Sequence, residues 1–160
     1  MKRLNIRSAQ QGFTYMIALF LVAILSVTTV AALERTLTKD RRDKEAQLLY
    51  VGQAYQTAIM HFYQNTPGQG AYPAQLSDLL VDNGKTTTQR YLRRLYFDPM
   101  TGSNNWGIVP SEDGKGIIGV YSLSTQQPIK TAGFPPMLAY LGLVPAATYQ
   151  QWQFIYVPTH

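Results

Sequence analysis

Two histidines, His61 and His160, nine acidic residues and no cysteine are the groups from which a catalytic or metal site would be built. A Ser or Thr nucleophile needs a base held by an orienting group. His61 stands among Met60, Phe62 and Tyr63, and His160 ends the sequence, so no such set is visible. The absence of cysteine excludes disulfides and thiolate metal sites. Calcium takes about six to eight oxygens, several from carboxylates, yet the segment from Gly114 to His160 holds no Asp or Glu. Asp98, Glu112 and Asp113 read as turn and cap residues. No enzymatic activity, cofactor or structural metal is expected.

The other group with chemistry is cationic. Arg90, Arg93 and Arg94 flank Tyr91 and stand close to Tyr96. If Thr88 to Tyr96 is a short helix, Tyr91, Leu92 and Leu95 face inward and the three arginines share one outer turn. Such a turn could bind a phosphate backbone weakly and with steep salt dependence. The preferred reading is a solvated outer face, so nucleic acid is not expected as a partner.

These residues need a scaffold, and its most informative part is N-terminal. Lys2, Arg3 and Arg7 precede Gln11-Gly12-Phe13-Thr14-Tyr15, and Phe13 to Leu33 is a run of 21 residues without Asp, Glu, Lys, Arg, His, Pro or Gly. About 20 residues of helix cross a hydrocarbon core, whereas the apolar part of a secretory signal is about 7–15 residues long. The run therefore predicts a transmembrane helix with its basic end in the cytoplasm. The formal charge is +5, and subtracting the three leader cations leaves +2. Much of the basicity is topological and not a footprint for nucleic acid.

The Gly12-Phe13 junction, with a basic leader before it and a long apolar helix behind, resembles the class III leader of type IV pilins and type II secretion pseudopilins. The resemblance covers the first third of the chain, and the remainder by layout. It implies that a prepilin peptidase cuts between Gly12 and Phe13, and that Phe13 becomes an N-methylated terminus. Thr14, Tyr15, Ile17 and Leu21 would lie on the assembly helix. Implied partners are the peptidase, other pseudopilins or pilins, and the inner-membrane assembly platform. The implied location is the bacterial inner membrane, single-pass, with the C-terminal domain periplasmic and assembled into a filament. Two positions depart from the family: Ile17 stands where Glu is usual, and Glu34 where Pro is common. The first adds weight to a minor or tip subunit, the second to a straighter helix. The alternatives are an uncut signal-anchor, or a Sec-type cut after Val30-Ala31-Ala32.

Beyond the anchor, Glu34-Arg35 and the run Lys39 to Glu45 interleave both charges at spacings that pair on a helix, which reads as a solvated stem. Leu48, Val51, Tyr55, Ile59 and Phe62 then form one apolar stripe, with Ala54 and Ala58 allowing close packing beside it. Pro67 and Gly68 stop the helix. Unbroken from Phe13 to Asn65, it would measure about 80 Å. Tyr72 to Val81 reads as a short helix with Pro73 in its first turn. Strands are expected at Trp106 to Val109 and Ile117 to Leu123, joined by Glu112-Asp113-Gly114-Lys115-Gly116, with a last strand at Gln151 to Val157.

The expected fold class is α+β and pilin-like: a long N-terminal helix, anchor plus stem, packed on a small antiparallel β-sheet domain. The expected organisation is leader 1–12, transmembrane helix 13–33, periplasmic stem 34–65 and α+β head 66–160. The function this layout implies is a structural subunit of a type II secretion pseudopilus. The alternative is a minor type IV pilin acting in adhesion or DNA uptake.

Overall fold

A computed structural model describes residues 7–66, 70–81, 89–139, 141–143 and 145–158; within these, the side chains of 7–12, 27–33, 137 and 139 lie outside the description. The fold is α+β. Helix α1 runs over Arg7–Asn65, followed by a 3-10 turn at Leu76–Leu79, strands β1 (Gly107–Pro110) and β2 (Ile117–Tyr121), helix α2 (Pro136–Ala139), a second 3-10 turn at Tyr149–Gln151, and strand β3 (Gln153–Ile155). The chain divides into two compact units, residues 1–40 and 41–160.

In the first unit, the described apolar side chains of the long run are all exposed, among them Phe13, Tyr15, Ile17, Phe20 and Leu25. Ser26 donates its hydroxyl to the Val22 carbonyl one turn back, 2.8 Å away. Among the described residues no helix is long and apolar enough to cross a membrane. The described side chains of the run stop at Ser26, so 27–33, which complete it, lie outside that statement.

The second unit has one core. Residues 41–65 of α1 supply its helical wall, and Leu48, Val51, Tyr55 and Ile59 are buried, with Phe62 partly so. The buried face is wider than the expected stripe, because Leu49, Gly52 and Gln56 are covered too. Gly52 has a specific reason: a Cβ there would stand 2.4 Å from the Phe154 ring, so only glycine lets the helix approach β3 this closely. The Gln56 amide donates to the Ile155 carbonyl at 2.7 Å, joining the same two elements.

The sheet has order β1-β2-β3 and is antiparallel throughout. Ile108 faces Val120 across the first ladder and Val120 faces Phe154 across the second, with a register shift at Val109/Pro110. The hairpin loop falls where Glu112-Asp113-Gly114-Lys115-Gly116 was expected, and Gly114 takes φ +69°, a left-handed turn conformation that favours glycine. β3 is shorter than the sequence suggests, since Gln151 belongs to the preceding 3-10 turn. Its alternation is as read, with Phe154 buried and Gln153 exposed.

Two helical expectations need correction. Tyr72 to Val81 forms only the 3-10 turn at Leu76–Leu79; Pro73 lies before it, buried, and its carbonyl accepts the Ile117 amide at 2.8 Å. Described residues 89–96 form no helix at all. The amides of Tyr91 and Leu92 both go to the Leu79 carbonyl, at 3.0 and 2.8 Å, and the Tyr96 amide goes to the Tyr55 hydroxyl at 3.0 Å. With its donors committed to distant partners, the segment has no helical ladder to close. Leu92 is buried as expected, but Leu95 is exposed.

Candidate functional site

The sequence-predicted positions fall in different places. Gly12 and Phe13 are both helical in α1; Phe13 is 66% exposed. Thr14, Tyr15, Ile17 and Leu21 are exposed along the same helix. Glu34 is helical too. Lys2, Arg3, Pro67, Gly68, Thr88 and His160 lie outside the described residues.

Arg90, Arg93 and Arg94 are exposed, but on an irregular segment and not on one helical turn. The Arg94 guanidinium stands 5.5 Å from the Tyr96 ring centroid. Arg93 borders a hollow of about 370 Å³ with Tyr50, Ala54, Thr57 and Tyr91. The three cations are thus near one another in sequence and exposed, but they do not share a helical turn.

Among the acids, Asp98 is fully buried. Its Oδ1 accepts the Met100 amide at 2.9 Å, and Oδ2 accepts the hydroxyls of Thr101 at 2.9 Å and Ser122 at 2.7 Å. The turn closes through the Gly102 amide to the Asp98 carbonyl at 2.7 Å, with Gly102 at φ +71°. Asp98 is therefore a turn residue that also ties the turn to the chain leaving β2. Asp113 is exposed, and the Ser111 hydroxyl, then the Lys115 amide, hold its carboxyl below the usual range. Among the described residues no group of three or more His, Cys, Asp or Glu converges.

The most consequential cluster was not foreseen. Glu45, read from sequence as the end of a solvated run, is only 2% exposed. Its Oε1 accepts the Ile129 amide at 2.6 Å, the Lys130 amide at 3.1 Å and the Tyr149 hydroxyl at 2.8 Å. Arg41, one turn earlier, donates to the Gln127 carbonyl and lies 6.0 Å from the centroid of the Tyr149 ring. Burial raises the Tyr149 phenol above its ordinary 10.0, the bond to Glu45 raises it further, and Arg41 opposes both. The ring also meets Trp152 edge-on at 5.3 Å. A signal for this existed: Glu45 is three residues before Leu48, on the side of the helix that carries the buried stripe.

Together Arg41 and Glu45 fasten the irregular segment 126–130 and the turn at Tyr149 to α1. That arrangement is a structural clasp with one carboxylate at its centre. No family model, curated protein or solved structure matches the chain.

Proposed function

We propose that the chain is a structural subunit of a type II secretion pseudopilus, drawn from the bacterial inner membrane after prepilin peptidase cleavage between Gly12 and Phe13. One observation carries this reading: three basic residues, then Gly12, then an uncharged run of 21 residues that begins at Phe13. A cut at the cytoplasmic edge of an intact apolar helix leaves that helix in the bilayer as a reservoir for assembly. The long helix with a small antiparallel sheet in an α+β chain supports the reading at the level of layout. Assembly would use the exposed run from Phe13, including Thr14, Tyr15, Ile17 and Leu21, against other pseudopilins on the inner-membrane platform. Ile17 in place of an acid favours a minor or tip position, because no carboxylate is there to seek a neighbour's amine.

Intact mass of the membrane-extracted protein tests the proposal. The expected species begins at Phe13 and carries one added methyl. A chain still beginning at Met1, in cells with a working peptidase, overturns it.

A second reading is a minor type IV pilin in adhesion or DNA uptake, favoured by the joint exposure of Arg90, Arg93 and Arg94. It requires salt-sensitive DNA binding that falls when the three become Ala. Absence of binding at low salt removes it.

A further inference from the structure

Glu45 also lines an open hollow of about 400 Å³ between α1 and the segment 129–132. Ala46, Leu49 and Ile129 give it apolar walls, and Arg42 and Lys130 are also part of its lining. All three hydrogen bonds to the Glu45 carboxylate end on Oε1, and Oε2 receives none of them. A buried carboxylate is stabilised by every donor it acquires, and with about four acceptor sites over its two oxygens this one can still take a further donor. Arg42 is exposed, and the Lys130 ammonium stands 5.5 Å from the Phe134 ring centroid. Lys130 is further held because its own amide is one of the Glu45 donors.

The hollow therefore pairs a buried anion with two more accessible cations across apolar walls. Glu45 favours a cationic group and Arg42 with Lys130 an anionic one, so a ligand of a single sign leaves one of the two ends unmatched. A small molecule carrying both signs on a short carbon link satisfies the two ends together. The geometry points to this hollow as a binding site for an ammonium–phosphate zwitterion of the phosphoethanolamine class. Its ammonium donates to Glu45 Oε2, and its phosphate pairs with Arg42 and Lys130 through charge-assisted hydrogen bonds. The volume lies within the range of about 300–1,000 Å³ usual for small-molecule sites. This site stands independently of the filament reading, since it depends on no residue of the anchor. The same headgroup exists free in solution and on membrane lipid.

Calorimetric titration of the full chain in detergent micelles with O-phosphoethanolamine, ethanolamine and inorganic phosphate tests the site. The zwitterion is expected to bind about tenfold or more tightly than either half-molecule, the difference made by one charge-assisted contact. R42A/K130A changes groups at the hollow's accessible side and should cut its affinity at least about tenfold. E45Q keeps an acceptor at Oε1 and should lower it comparably. In nanodiscs, protection against unfolding by phosphatidylethanolamine but not phosphatidylcholine assigns the headgroup to lipid. Binding of only the soluble compound assigns it to a free metabolite, and either result supports the site. No tighter binding than phosphate, or affinity unchanged in R42A/K130A, overturns it.

Discussion

The Tyr149 hydroxyl donates to Glu45 Oε1 at 2.8 Å, joining positions 104 residues apart inside the core of the second unit. Because the same oxygen also holds the Ile129 and Lys130 amides, one side chain of α1 decides where a long stretch without extended secondary structure rests. Segments of this kind have few backbone bonds of their own and depend on such anchors.

Replacing Glu45 by Ala takes the acceptor from two amides that border the open hollow and from the fully buried Tyr149 phenol. An unpaired buried donor costs about 1–3 kcal/mol, and water entering the hollow can serve the amides, so E45A should lose about 1–3 kcal/mol. E45Q, which retains an acceptor, should lose less. Urea unfolding of the variants, with amide exchange read at Ile129 and Lys130, checks both size and place. Exchange at these amides unchanged in E45A would contradict the clasp.

The phenols of Tyr149, Tyr55 and Tyr72 are all raised above 10.0, with burial the largest cause in each. A raised value means that the folded state holds the proton more tightly than the unfolded chain. The associated stability is full below pH about 10 and drains away as pH climbs from there towards the folded values. Denaturant titrations at stepped alkaline pH should show stability falling in that window, and Y149F should make the decline shallower. An unchanged slope in Y149F would remove Tyr149 from the account.

Gly52 packs its bare backbone against the Phe154 ring of β3. A Cβ at Gly52 would lie 2.4 Å from the ring, so G52A forces helix and strand apart and should cost about 1–3 kcal/mol. Trimming Phe154 to Ala creates a cavity on its own, yet the two changes together should cost less than their sum, because each relieves the other. A double-mutant cycle that adds strictly would show that the ring yields freely.

Asp98 binds Met100, Thr101 and Ser122 from a fully buried position. D98A therefore leaves an amide and two hydroxyls without their acceptor and is expected to cost about 3 kcal/mol or more. Thermal unfolding gives the value. A loss under about 0.5 kcal/mol, as at an ordinary surface position, would mean that the network is replaceable by water.

Sequence periodicity alone determined the long helix, its buried stripe from Leu48 to Ile59, the hairpin between β1 and β2, and the α+β class. These rest on local physics: an apolar residue every three or four positions marks one helix face, and alternation with a glycine-bearing turn marks paired strands. The bonds that override local preference were out of reach. The stretch from Arg90 to Tyr96 has a helix-like pattern, but Leu79 and Tyr55 take its amides. Glu45 looks like the last charge of a solvated run, but Tyr149, Ile129 and Lys130 enclose it. Partners from about a dozen to about 100 residues away leave no trace in spacing, and only the packed chain decided which polar groups it would bring together.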